Sequence, residues 1–315
     1  MDATYVKLIR SIGIPGIIKD ANEVHSEELM NLARINKIQL IYALTINSPL
    51  TNDLMNKYNV TVQTVCELSD AFNANSINYT IFKTIKPFAY TPSDIDVLVS
   101  FEDRELASDL LLKKGYTQEI KDAMCITMRG RMDIDLYVEP SVSNIAYLRR
   151  DALMSDTNVI DVNGTKVSVL ANHAEFIAVM SHSLYKEQML TLNDYYTLTI
   201  LAEQTNTDKI LKIAQDTNTV PVLRLITGIC RNITEEVFGK SQPLKICRLA
   251  EELGATLHSV KGMPYKFSMK LAMGLLLRKI LNDPDENSNL LKGVVSGISL
   301  RRARKFWDHM RRETY

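Results

Sequence analysis

Apolar positions in the first 76 residues recur at helical spacing. Ser26-Glu27-Glu28 opens a segment in which Leu29, Leu32, Ala33 and Ile35 share a face. Its acidic residues sit at the start, where the helix dipole favours them. An apolar stretch over 38–46 ends at Asn47-Ser48-Pro49, and Val62, Val65, Leu68 and Phe72 predict an amphipathic helix over 60–72. The pattern changes at Tyr79, where short β-rich runs begin: 79–83, 94–101, 124–129, 132–138, 159–162 and 166–170. Arg129-Gly130-Arg131 reads as a turn between two of these runs. Asn163-Gly164 predicts a hairpin, because both residue types tolerate positive φ. One helix, 103–114, interrupts the strands and stops at Gly115.

From Asn172 onward the periodicity is helical again, through Leu253 and then over 267–281. Asn172 with Glu175, and Thr191 with Asp194, have the spacing of reciprocal helix caps. The layout predicts an α+β fold in three parts: a helical region 1–76, a mixed-sheet core 77–170, and a helical domain 171–315 with a basic tail.

Composition narrows the choices. Hydrophobic residues make up 46% of the 315 positions, enough for a sizeable core. Lys plus Arg and Asp plus Glu number 37 each, which argues against nonspecific coating of nucleic acid and restricts any such contact to a local patch. Cys66, Cys125, Cys230 and Cys247 form no C-x-x-C pair and no zinc-ligand spacing, so they read as thiols in a reducing compartment. No signal-like segment follows Met1, and the apolar run 271–277 is too short to span a bilayer. The expectation is a soluble, cytoplasmic protein with no membrane partner.

Two short runs carry the candidate chemistry. In Asp94-Ile95-Asp96-Val97-Leu98-Val99, strand alternation puts Asp94 and Asp96 on one face and Ile95, Val97 and Val99 on the other. Met132-Asp133-Ile134-Asp135-Leu136-Tyr137-Val138 repeats the arrangement with Asp133 and Asp135. An isolated Asp-x-Asp is usually a solvated edge. Two of them in one short α/β segment, each backed by an apolar face, predict converging carboxylates. Such a cluster needs compensating cations, and hard oxygen donors select Mg²⁺ or Mn²⁺.

These residues resemble the polymerase-β-type nucleotidyltransferase superfamily. The likeness rests on the loop Ile81-Phe82-Lys83-Thr84, the strand Asp94–Val99 and a later carboxylate in Ile134-Asp135-Leu136. Leu32-Ala33-Arg34-Ile35-Asn36-Lys37 and Asn172-His173-Ala174-Glu175 are similar to a little-characterised branch with helical flanks, and the likeness covers residues 25–215. It implies a nucleotidyltransferase that moves a nucleoside monophosphate from an NTP such as ATP to an acceptor hydroxyl. Two metal ions would be held by Asp94, Asp96 and a third carboxylate, with Asp135 preferred over Asp133. Lys83, Thr84 and Ser93 would bind the nucleotide. Thr84 stands where the family's loop has glycine, so a close approach of the backbone to a triphosphate is in question.

For the acceptor, Arg301, Arg304, Lys305 and Arg312 fall along one helical stripe near Trp307 and predict an RNA footprint, tRNA being the most available example. A protein hydroxyl or a small molecule is the alternative acceptor. Two other readings compete: a catalytically degenerate binding or regulatory scaffold, and a glycosyltransferase using Asp-x-Asp. The helical pattern of residues 1–76 argues against the latter. His173 and His182 lie nine residues apart, the wrong spacing for a zinc helix. His182, Lys186 and Asp194 are candidates for the mouth between the sheet core and the following helices.

Overall fold

The computed structural model describes residues 3–18, 26–142, 145–240 and 244–281. The opening helices are α1 (Thr4–Ile12), α2 (Glu27–Ile35), α3 (Gln39–Thr45) and α4 (Thr51–Ala74). Helix α4 starts nine residues before the apolar periodicity does. Its first turns carry Asn52, Asp53, Asn56, Lys57 and Asn59, which hide the pattern, while Leu54 anchors the turn against Leu40 and Ala43 of α3.

The strands follow: β1 (Tyr79–Phe82), β2 (Asp94–Val99), then α5 (Arg104–Lys113), β3 (Thr117–Lys121), β4 (Cys125–Arg129) and β5 (Asp133–Tyr137). A short hairpin of β6 (Ser141–Val142) and β7 (Ile145–Ala146) and helix α6 (Arg150–Met154) lead to β8 (Thr157–Val162) and β9 (Thr165–Leu170). Seven strands form one mixed sheet in the order β3-β4-β5-β2-β1-β9-β8. Pairs β2–β5 and β1–β9 are parallel, and the other four are antiparallel. The turn at Asn163-Gly164 has φ of 51° and 86°, so the predicted hairpin forms with both residues left-handed. Strand β3 went unpredicted. All five of its residues are exposed, so no in-out alternation marks it, and its charges suit an open sheet edge.

The remaining chain is helical: α7 (Asn172–Ser181), α8 (Leu192–Gln204), α9 (Thr207–Asp216), α10 (Val220–Phe238), α11 (Lys245–Glu252) and α12 (Met269–Leu281), with β10 (Met189–Leu190) paired to β11 (Tyr265–Lys266). Thr191 and Asp194 make the reciprocal cap of α8. The predicted cap at Asn172 does not form. Ala171 takes the cap position, and the Glu175 carboxylate instead turns towards the loop after β1, where buried backbone amides need an acceptor.

The two faces of the sheet meet different cores. Ile95, Val97, Val99, Ile134 and Leu136 pack with Val65, Leu68 and Phe72 of α4 and with Ala107 and Leu111 of α5. Leu98 and Tyr137, on the opposite face, join a larger core that runs from α1–α3 through α7–α12. Alternation therefore turns Asp94, Asp96 and Asp135 towards the helical side. A polar clamp fixes the opening helices to α8: Asn36 Oδ1 accepts from the Leu192 amide at 3.1 Å, and the Asn36 carbonyl accepts from the Asn193 amide at 3.2 Å. No helix among the described residues is long and apolar enough to cross a membrane. All four cysteines are free thiols, with Cys230 and Cys247 buried.

Candidate metal and nucleotide site

Parallel pairing of β2 with β5 sets Asp94 opposite Asp133 and Asp96 opposite Asp135. Oxygens of Asp94, Asp96 and Asp135 lie within 4.8 Å of one another. Asp133 is not in that cluster. It ion-pairs with Arg129, whose side chain also holds Glu119 at 2.6 Å. The structure thus separates two carboxylates that share a strand face, because the neighbouring strand β4 supplies a guanidinium at one register position and a hydroxyl at the other.

That hydroxyl is Thr127 Oγ1, which donates to Asp135 Oδ1 at 2.7 Å, while Tyr137 OH donates to Asp135 Oδ2 at 3.0 Å. Lys186 Nζ donates in turn to Tyr137 OH at 2.6 Å. Asp96 is buried, and its two oxygens differ. Oδ2 meets Lys83 Nζ at 3.1 Å, whereas Oδ1 has no hydrogen-bond partner among the described residues. A buried carboxylate oxygen without a donor costs free energy unless a cation satisfies it. Three converging carboxylates with such an oxygen fit a hard divalent cation. Burial, then the charges of Asp96 and Asp135, push the Asp94 carboxyl up to about 6. Burial opposes ionisation of Asp96 too, but the ammonium groups of Lys83 and Lys186 outweigh it and hold its carboxyl low.

The loop after β1 forms the opposite wall. Lys83 adopts φ of 58°, a left-handed conformation uncommon for a residue with a side chain, and the Thr84 amide closes a three-residue turn on the Phe82 carbonyl at 2.7 Å. Both oxygens of Glu175 accept from the Lys83 amide, at 2.9 and 3.0 Å, which holds the turn. The left-handed residue is thus Lys83, and Thr84 adopts no glycine-like backbone. Thr84 Oγ1 instead accepts from the Asp96 amide at 3.0 Å and ties the loop to β2. Lys83 does not reach solvent as a strand-end lysine would. It is 8% exposed and lies over the Phe82 ring, 4.7 Å from the centroid.

Past α7 the helix widens into a π-helical turn, His182–Lys186, closed by the Glu187 amide on the His182 carbonyl at 3.0 Å. His182 Nδ1 receives Lys83 Nζ at 3.0 Å and Tyr147 OH at 3.2 Å, and Nε2 faces Glu187 Oε1 at 3.1 Å. These partners assign the neutral ring with its proton on Nε2. Burial, with Lys83 adding to it, lowers the imidazole to about 3.

Loop, strand and π-turn enclose a cavity of about 270 Å³ whose lining includes Asp94, Asp96, Thr84, Ser93 and the lysines Lys37, Lys83, Lys86 and Lys186. Ser93 Oγ donates to Asp94 Oδ1 at 3.2 Å. His182 and Asp194 line the same cavity, as their placement in sequence suggested. Sequence reading missed Lys37 and Lys86 and the clamp made by Glu175. No local pattern marks them, since each reaches the site through a contact distant in sequence. Arg301, Arg304, Lys305 and Arg312 lie outside the described residues.

Among known proteins, residues 90–235 match a family described as an uncharacterised nucleotidyltransferase. No curated protein matches the chain. The fold is similar to the solution structure of the antibiotic-resistance factor ANT(2'')-Ia, at 10% identity, covering 51% of this chain and 91% of that one with a TM-score of 0.39. It is also similar to the crystal structure of an antigenic nucleotidyltransferase-like protein from Paracoccidioides brasiliensis, at 12% identity, covering 64% and 95% with a TM-score of 0.30. Both overlaps are loose, whereas the family match runs across the two strands that carry Asp94, Asp96 and Asp135.

Proposed function

We propose that this chain transfers a nucleoside monophosphate from an NTP to an acceptor hydroxyl, using Asp94, Asp96 and Asp135 as ligands for two Mg²⁺ or Mn²⁺ ions. The observation that carries this is the three-carboxylate cluster with its buried, unpartnered Asp96 Oδ1. When bound, divalent ions supply charge neutralisation and Lewis-acid activation. The chain's own residues orient the reaction. Thr127 and Tyr137 hold both oxygens of Asp135, the carboxylate that takes the acceptor's proton in this reading. The acceptor oxygen forms a bond to the α-phosphorus as the bond from that phosphorus to the pyrophosphate oxygen breaks. Lys37, Lys83, Lys86 and Lys186 surround the cavity with positive charge suited to a triphosphate and to the leaving pyrophosphate. Thr84 and Ser93 also line it.

RNA is the acceptor that the basic tail suggested, with a protein hydroxyl or a small molecule as the other classes. Incubation with each NTP labelled on the α-phosphate or on the γ-phosphate, in Mg²⁺ or Mn²⁺ with total cell RNA and separately with small metabolites, tests the reading. The α-label is expected in the acceptor and the γ-label in pyrophosphate, with a fall of about 1,000-fold or more in Asp96→Asn. Transfer of the γ-label, NTP binding without transfer, or unchanged turnover in Asp96→Asn contradicts it.

A further inference from the structure

A second cavity of about 400 Å³ adjoins the first and shares Lys37, Tyr90, Pro92 and Ser93 with it. The first cavity is walled by Lys83 and Thr84 after β1, the second by Arg131 and Met132, which lead into β5. The sheet order β5-β2-β1 therefore puts the carboxylates between the two, with Asp135 on the strand nearer the second.

Its charge is one-sided. Arg34, Lys37, Lys57 and Arg131 line it, and among the described residues its lining holds no Asp or Glu. The chain as a whole carries no net charge, so four cations around one concavity are a local concentration. They arrive from three separate segments: Arg34 and Lys37 from the end of α2 and the left-handed turn that follows it (φ 57°), Lys57 from α4, and Arg131 from the β4–β5 turn. The Asn36 clamp to α8 fixes the turn that carries Lys37. Arg131 is held from α4 by Thr64 Oγ1 at 2.9 Å and by an ion pair with Glu67 Oε2 at 3.1 Å. A solvated basic face is the bland account of exposed lysines and arginines. It does not explain why these converge on a concave floor containing Leu54, Val60 and Met132, or why that floor reaches Ser93, whose hydroxyl donates to Asp94.

We propose that this cleft seats the acceptor and that the acceptor carries a phosphate group, which Arg34, Lys57 and Arg131 bind while its hydroxyl points to Asp135. The inference deepens the nucleotidyl-transfer reading and rests on it for the acceptor's role. Guanidinium groups bind phosphate through paired hydrogen bonds, and the cleft's volume is that of a small-molecule site. A free sugar phosphate and the phosphorylated end of an RNA strand share this chemistry.

The test is a binding measurement that needs no turnover. Ribose 5-phosphate and a short 5′-phosphorylated single-stranded RNA are titrated by calorimetry into the full chain without divalent metal or NTP. Both the Arg34→Gln/Lys57→Gln double variant and Arg131→Gln alone should weaken binding, the double variant by about tenfold or more. Lys83→Gln, in the nucleotide cavity, should change it by less than about twofold, and Asp96→Asn should leave it in place even though transfer is lost. All variants are checked for an unchanged thermal midpoint. Tighter binding of ribose 5-phosphate assigns a small phosphorylated acceptor, and tighter binding of RNA a strand end. Failure of both probes to bind the wild-type chain, or loss of binding only in Lys83→Gln, overturns the proposal while leaving the α-label test of nucleotidyl transfer untouched.

Discussion

The two walls of the cavity lined by Asp94 and Asp96 are built on different principles. On one side, the parallel ladder of β2 and β5 sets Asp96 directly opposite Asp135 and Asp94 two positions away on the same face, so backbone pairing brings the three together. On the other, Lys83 and His182 are 99 residues apart, and the Lys83 turn depends on Glu175, 92 residues away. The ladder places charge by secondary structure. The loop wall places it by buried side-chain contacts that exist only once α7 has docked. The ladder therefore gathers like charges at a cost that ligands must offset, while the loop wall carries the compensating cations and is the part whose geometry depends on tertiary packing.

The largest expected effect on stability lies in the loop wall. Glu175→Gln keeps the shape of the side chain but removes the carboxylate 3.7 Å from Lys86, the strongest of the acidic groups that offset the burial disfavouring its charge. Breaking such a pair should cost about 3 kcal/mol, read from denaturant midpoints at pH 7. A change below about 0.5 kcal/mol would mean that the turn at Lys83 holds itself and that the contrast between the walls is wrong.

A smaller effect of opposite sign is expected on the ladder. In the folded chain Asp94 keeps its proton up to about pH 6, against 3.8 for its ordinary value. Between those values the folded state binds a proton that the unfolded state has released. Stability is therefore greatest at the acid end of this window and is lost as pH rises through 6. Asparagine cannot ionise, so Asp94→Asn should be more stable than the wild-type apoprotein at pH 8, by about 1–2 kcal/mol, and the gain should vanish near pH 4. A destabilised Asp94→Asn at pH 8 would mean that the carboxylate is satisfied without a metal.

The difference between the walls also explains what the sequence made legible. The pairs Asp94/Asp96 and Asp133/Asp135 followed from period-two alternation, which is local and survives without knowledge of the fold, whereas the preference for Asp135 over Asp133, which share a face, came from the family resemblance. The hairpin at Asn163-Gly164 and the cap at Thr191 were local for the same reason. Glu175 was misassigned as a cap because its spacing from Asn172 is the same whether the carboxylate turns inward along its own helix or outward to a loop. Lys37 and Lys86 carried no periodic signature at all, and β3 lacked one because neither of its faces is buried. In the Phe82-Lys83-Thr84 loop the missing glycine drew attention to Thr84, whereas the strained backbone sits one residue earlier.

Manganese binding tests the carboxylate centre most directly, followed by electron paramagnetic resonance on the full chain at pH 7.5 and repeated at pH 5. Wild-type protein should bind Mn²⁺ at the higher pH and more weakly at the lower, where Asp94 holds its proton. Asp96→Asn and Asp135→Asn should each lose about tenfold or more in affinity, while Asp133→Asn, whose partner is Arg129, should stay within about twofold. Equal affinity in all four proteins, or a greater loss at Asp133 than at Asp135, would contradict the assignment.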